Sequence, residues 1–256
     1  MKIKCLTLLG IFYFCKMKII KLEKVNSTNL YAKELLSKKL IFENTLIYTN
    51  SQSEGRGMGK NTWFSDDYKN LTFSLLLFNN FKADEHFNIS IIVSLSIFDY
   101  LSLKGVLSKI KWPNDIYLKN KKLAGILIEN TITGNIITNS IIGIGLNLNQ
   151  DKFPQDLPNP ISLKNVTNIE YNIDDEIQLL SNTIVANFEK YKFKDFNFLR
   201  DLYLSNLYKY QEKSRFKSEF QEFEGIIRGV DNYGYLLVEV ADKIEKFYFK
   251  EIEFLE

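Results

Sequence analysis

Only two of the 256 residues are cysteine, and both, Cys5 and Cys15, fall in the first fifteen. A disulfide framework, a zinc site and a cysteine nucleophile in the main body are therefore unsupported. Histidine is scarcer still. His86 is the only one, it precedes an apolar helix-like run, and no acidic or nucleophilic partner stands near it in sequence, so it is read as a surface residue rather than a catalytic base. Neither sign of charge is in excess: Lys+Arg 33 against Asp+Glu 31 leaves a net +2, so no whole-chain field drives the protein onto nucleic acid or membranes. A bilayer-length apolar run is missing near the start, where residues 1–16, MKIKCLTLLGIFYFCK, hold a stretch of ten apolar residues against the roughly 20 needed to span. Two early lysines give that segment the outline of a signal peptide, but no small-residue cleavage site follows, and Met17 opens a second plausible start. Residues 1–16 are read as an N-terminal extension, a disordered tail or a misplaced start, with secretion as the lesser alternative. The common nucleotide signatures are also absent: there is no G-x-x-x-x-G-K-S/T and no complete G-x-G-x-x-G.

What is present is organised around residues 111–129, KWPNDIYLKNKKLAGILIE. Trp-Pro-Asn-Asp cannot continue a helix, because proline lacks the N–H and biases its predecessor toward extended geometry. Residues 116–118, a polar tip at 119–121 and an apolar run at 123–128 then read as a β-hairpin. Ala124 and Gly125 leave the start of the second strand nearly bare, open to close approach by a ligand. Lys122 stands at the lip of that patch, either as plain surface solvation or as a cation facing the ligand.

The length allows one large domain and a small one. Strands are expected at 19–22, 46–49, 71–78 and 136–144, and helices at 30–40, 88–103, 174–191 and 196–210. Ser27 and Thr28 can cap the first helix, which alone would account for Ser27-Thr28-Asn29; the other reading is that the triad faces a ligand. Residues 51–60, SQSEGRGMGK, alternate glycine with cations, as a flexible loop or as a backbone nest around an anion. A boundary falls near 213–218. Beyond it, runs at 224–230, 235–240 and 244–249 joined by tight turns make a small barrel. The expected class is α+β: a mixed β-sheet with flanking helices over 17–214, then a small β-barrel over 215–256.

KWPND followed at this spacing by KKLAGILIE resembles the central motif of the biotin protein ligases. The resemblance includes Ser27-Thr28-Asn29, a Gln-x-x-Gly-Arg-Gly loop carried by Gln52, Gly55, Arg56 and Gly57, Trp63 at the expected distance, and Gly-x-Asn ending at Asn147. It covers residue 19 to the end. It implies a class II synthetase-like catalytic domain followed by an SH3-like domain. The implied reaction activates biotin with ATP to biotinyl-5'-AMP, then transfers the biotinyl group to a lysine of a biotin carboxyl carrier domain of acetyl-CoA or a related carboxylase. Mg2+ is expected with ATP, its protein ligands unassigned. No DNA or membrane partner is implied, since no helix-turn-helix module fits before Met17; the expected setting is cytoplasmic, with a homodimer left open. Lipoate or octanoate ligases and transferases share the fold and are the nearest alternative, and a non-catalytic biotin- or nucleotide-sensing module is the alternative of another class.

The resemblance also implies roles. Ser27, Thr28, Asn29 and Gln52 are neutral groups able to meet a ureido ring with donors and acceptors. Gly55, Gly57, Gly125 and Trp63 would wall the apolar part of the ligand. Arg56 and Lys122 match residues along the carboxylate and phosphate, where positioning and electrostatics carry the chemistry. Lys111, Asp115 and Asn147 match residues around ATP and its magnesium, with Asp115 also a candidate for orienting the acceptor amine. The chain departs from the family at Met58 and Asn61, where many relatives carry arginines, which leaves Lys60 as the expected substitute holding the loop over the adenylate.

Overall fold

Residues 71–78 and 88–103 are the most continuously apolar parts of the main body, and they become its centre. The protein, seen here as a computed structural model, is described over residues 17–192, 195–219 and 221–255; the reading of residues 1–16, with Cys5, Cys15 and the second start, falls outside the described residues. In chain order the elements are β1 (Lys18–Leu22), α1 (Thr28–Ser37), β2 (Thr45–Thr49), β3 (Leu71–Lys82), α2 (His86–Leu103), β4 (Lys109–Lys111), β5 (Asp115–Leu118), β6 (Lys121–Thr133), β7 (Ile136–Leu146), α3 (Leu163–Thr167), α4 (Ile173–Tyr191), α5 (Phe196–Ser205), β8 (Lys213–Ser218), β9 (Glu222–Val230), β10 (Leu236–Val240), β11 (Lys243–Phe247) and β12 (Ile252–Phe254). Seven strands form one sheet in the order β1-β2-β3-β7-β6-β5-β4, and five form a second in the order β11-β10-β9-β8-β12. Only β1 and β2 pair parallel in the first sheet, and the second is antiparallel throughout.

The two faces of the large sheet are covered unequally, and this creates the site. One face packs on α2, α4 and α5 through a large core that includes Leu75, Leu77, Ile92, Tyr100, Ile142 and Ile184. Helix α2 is apolar on all sides because it is surrounded on all sides. Ala83–Leu103 is long and apolar enough to cross a bilayer, yet 67% of its most apolar window is buried inside the fold, the setting of a core helix. On the other face α1 is the covering helix among the described residues, through a small cluster of Ala32, Ile41, Ile47, Leu76 and Ile141, and the loop carrying Trp63 crosses the glycines beside it. Beyond the N-terminus of α1 that face is left open.

Helix α4 starts cleanly because Asn172 caps it, accepting from Asp175 N at 3.1 Å, with Asp174, Asp175 and Glu176 opposite the positive end of the helix dipole. Glu176 then turns inward, 8% exposed. Lys104 Nζ meets it at 2.6 Å and the Tyr100 hydroxyl at 2.7 Å, and burial raises the Tyr100 hydroxyl well above its ordinary range. Lys104→Met removes the cation and leaves a buried carboxylate with a neutral partner. The expected loss, in urea denaturation, is roughly 3 kcal/mol, and Glu176→Gln, which removes the stranded charge while keeping an acceptor for the Tyr100 hydroxyl, should recover part of it.

Several boundaries differ from expectation. Helix α1 begins at Thr28, with Ser27 in the N-cap position but making no side-chain capping bond. The hairpin tip is two residues, Lys119 and Asn120, with Lys121 already in β6. Residues 213–218, read as the boundary, are themselves a strand, β8, which opens the second sheet. Ser214 and Phe216 are buried and the charged residues between them point outward, the alternation of a half-buried strand.

Candidate active site

Strand register lays the floor of the site. Thr49, Thr72, Gly145, Gly125 and Asp115 lie opposite one another in a single row across β2, β3, β7, β6 and β5. Two residues along, Ile47, Ser74, Gly143 and Leu127 form the next row on the same face. The centre of both rows is glycine. A Cβ on Gly143 would collide with the Asn29 side chain, and one on Gly145 with the Trp63 indole. The bare backbone is therefore what admits both groups.

Ser27, Thr28 and Asn29, at the start of α1, arrive over this floor, each less than 5% exposed. Gln52 Oε1 accepts from Thr28 N at 2.9 Å. The Ser74 hydroxyl lies 2.7 Å from Thr28 Oγ1 and 2.6 Å from Asn29 Oδ1. Asn29 Nδ2 donates to Glu129 Oε2 at 3.0 Å, and Glu129 in turn pairs with Arg56 at 3.2 Å. One neutral hydrogen-bonded chain thus runs from Gln52 to Asn29 and ends on an ion pair.

The glycine loop is a tight hairpin rather than an open nest. Arg56 bridges Thr62, Gly57 N donates to Asn61 O at 2.8 Å, and Trp63 N donates to Gly55 O at 2.8 Å. The Gly57 N–H, one of those a nest would turn toward an anion, is thereby occupied. Gly55 packs beneath Trp63 and against Gln52.

Lys122 owes its direction to a bulge. Asp115 pairs with Gly125 and Ile116 with Ala124, but Tyr117 pairs with Lys122, skipping Leu123. The extra residue re-aims the side chain, and Lys122 Nζ reaches Asp115 at 2.8 Å, on the floor side, and lies 5.8 Å from the Trp63 ring. Its backbone is clamped as well: Lys122 N donates to Asn159 O at 2.7 Å and Ile161 N donates to Lys122 O at 3.0 Å.

Trp63 divides the cleft into two compartments. The inner one, about 160 Å³, is lined by Ser27, Thr28, Asn29, Gln52, Arg56, Gly57, Trp63, Asp115, Lys122 and Gly125, together with Met58, Phe73, Asn114, Leu127, Gly143, Gly145 and Phe249. The outer one, about 440 Å³, is lined by Lys60, Asn61, Trp63, Lys122, Asn147, Phe153, Leu157, Pro158 and Pro160 among others. The narrow chamber suits a compact ring and the roomy one a larger group; Lys122 borders both. Asn147 serves mainly as a tie, its amide 3.2 Å from Ile161 O and 3.4 Å from Lys122 O. Lys111 is not brought to either compartment. It donates to the Tyr117 hydroxyl at 3.1 Å and lies 5.2 Å from the Phe254 ring, at the junction with the second sheet. His86 is half-buried at the start of α2, facing Ala83 O at 3.1 Å, and borders neither compartment.

Ser74, Glu129 and Phe249 escape the sequence reading. Ser74 and Glu129 had a signal, being the polar residues that interrupt otherwise apolar strands; Phe249 comes from the second sheet and had none.

Residues 22–147 match the model of the Biotin/lipoate A/B protein ligase family, which defines the class. Residues 215–255 match that of the Biotin protein ligase C terminal domain, and with both the chain belongs to the biotin protein ligase family. It is 28% identical over 239 residues to the bifunctional ligase/repressor BirA of Bacillus spizizenii, covering 92% of this chain and 73% of that protein. It is 26% identical to a biotin–[acetyl-CoA-carboxylase] ligase of Paracoccus denitrificans, over 75% of this chain and 82% of that one. The fold matches a biotin protein ligase from Aquifex aeolicus solved in complex with biotin and ATP, with a TM-score of 0.75 at 25% identity, covering 92% of this chain and 97% of that one. The expected arrangement, a mixed sheet with flanking helices followed by an SH3-like C-terminal domain, holds.

Proposed function

We propose that this protein is a biotin protein ligase, activating biotin with ATP to biotinyl-5'-AMP and passing the biotinyl group to a lysine of a biotin carboxyl carrier domain. The supporting observation is one chamber with a neutral hydrogen-bonding end and a cationic mouth. Ser27, Thr28, Asn29 and Gln52 line it with donors and acceptors and no net charge, Ser74 holding Thr28 and Asn29 from behind, which suits a ureido ring. The glycine floor and Trp63 suit the apolar ring and tail. A purely apolar acyl chain would leave those buried polar groups without a ligand partner, so a lipoate or octanoate substrate fits less well.

In the first step the biotin carboxylate attacks the α-phosphorus of ATP and pyrophosphate leaves. Lys122, bordering both compartments, neutralises the carboxylate on one side and the phosphoryl oxygens on the other. Arg56 adds a second cation once it shares or leaves Glu129. In the second step the acceptor amine attacks the mixed anhydride and AMP leaves, with Asp115 positioned to hold that amine. Mg2+ would accompany the ATP phosphates and offset their charge. Among the described residues no group of three His, Cys, Asp or Glu forms a ready cage, and Asp115 is the carboxylate of the chamber, which accords with the habit of Mg2+ to bind through one or two carboxylates plus substrate phosphates. A cytoplasmic setting belongs to the same proposal.

The test is mass spectrometry of a biotin carrier domain incubated with the protein, ATP and biotin. A single added biotinyl group is expected. Equal or better modification when lipoate replaces biotin would overturn the substrate assignment.

A further inference from the structure

The tip of the glycine loop is touched by the second sheet. Gly59 has a φ of +69°, and the space beside it is filled by Lys250, from the turn between β11 and β12. A Cβ built on Gly59 would stand 2.7 Å from Lys250 Nζ and 3.0 Å from its Cε. Phe249, the residue before, lines the inner compartment beside Met58.

Two observations give this contact weight. The loop is anchored at its base, through Trp63 on the sheet and Arg56 on Glu129. Its tip, residues 58–60, makes no hydrogen bond beyond the loop among the described residues. The cations are also unequally committed. Arg56 is paired with Glu129, and Lys60 is exposed and faces the outer compartment. No carboxylate among the described residues lies within ion-pair distance of Lys250.

We infer that Lys250 is a positioning residue for the glycine loop: its ammonium, seated in the space left by Gly59, holds the tip of the hairpin over the inner compartment. Retention of an activated intermediate then depends on the second domain. That consequence rests on the proposed adenylate chemistry; the contact itself does not. Glycine at position 59 suits the positive φ and leaves the space that the Lys250 side chain occupies.

The experiment has two arms. In the unliganded protein, hydrogen exchange at the Gly57 and Asn61 amides should rise roughly fivefold in Lys250→Ala, because a surface hairpin that loses a contact at its tip opens locally at small cost. Lys250→Arg should restore protection and Lys250→Met should not, which separates the charge from mere packing. In the second arm, enzyme-bound biotinyl-5'-AMP is followed after a chase. Its escape should quicken by a similar factor in Lys250→Ala and stay at the parental rate in Lys60→Ala. Unchanged exchange in Lys250→Ala, rescue by methionine, or an effect seen in Lys60→Ala alone would each overturn the assignment. A parent that forms no adenylate at all would instead overturn the proposed function, while the exchange arm still decides the role of Lys250.

Discussion

Lys122→Ala is expected to fold normally and to form biotinyl-5'-AMP about 10²–10³ times more slowly, the usual loss when one preorganised donor is removed from a developing charge. The fold should tolerate it because Lys122 contributes backbone, not core: its N–H and C=O are held by Asn159 and Ile161 whatever the side chain, and the side chain is 30% exposed. The chemistry should not tolerate it. The bulge in β6 aims this ammonium at the wall shared by the two compartments, and among the described residues no other cation borders both. Removing it also strands Asp115, so Asp115→Asn is the control that separates a lost cation from a released carboxylate. Biotin-dependent ATP–pyrophosphate exchange measures the effect. A rate within threefold of the parent would remove Lys122 from the catalytic role.

Gly145→Val should weaken biotin binding by about 100-fold, near the upper end of what overpacking a tight site costs. Its added Cβ would fall within the Trp63 indole, and a strand residue between β3 and β6 has no freedom to back away. The indole must leave, taking with it the wall between the compartments. Valine itself suits a β-strand, so thermal stability should change far less than affinity. The double variant Gly145→Val/Trp63→Ala removes the clash along with the wall and should bind better than Gly145→Val alone, a coupling that two independent sites would not give. Calorimetric titration with biotin is the readout. Parental affinity in the single variant would mean that the ligand lies elsewhere.

How far the sequence led depends on how local each feature is. The Trp-Pro-Asn-Asp turn, the bare Ala124-Gly125 and the loop carrying Gln52, Arg56 and Trp63 were legible because each is written in a few consecutive residues. The inner compartment gathers nearly all of them. Lys111 shows the limit of reasoning from a motif, since sharing a stretch with Asp115 did not bring it to the chamber; Tyr117 and Phe254 hold it at the junction between the sheets. The bulge that turns Lys122 inward is a matter of register between two strands, and no single strand records it. The strand at 213–218 went unread beside the boundary placed there, because Lys, Ser and Arg dominate it and only Ser214 and Phe216 are buried. In sequence the loop stands open between a flexible turn and an anion nest because its glycines allow free amides, whereas pairing across the hairpin occupies the one at Gly57.

The site draws on residues from 27 to 249, and the Trp112 indole, inside the central motif, donates at 2.9 Å to Gly234 O in the turn between β9 and β10. This has a consequence for the order of synthesis. A ribosome adding about 5–20 residues per second releases the Gln52 loop roughly 10–40 s before Phe249 is made. Until then the chamber lacks a wall, the loop tip has no seat, and Trp112 has no acceptor. A nascent chain would thus carry every polar group assigned to biotin before the wall that Phe249 adds and the seat that Lys250 offers exist.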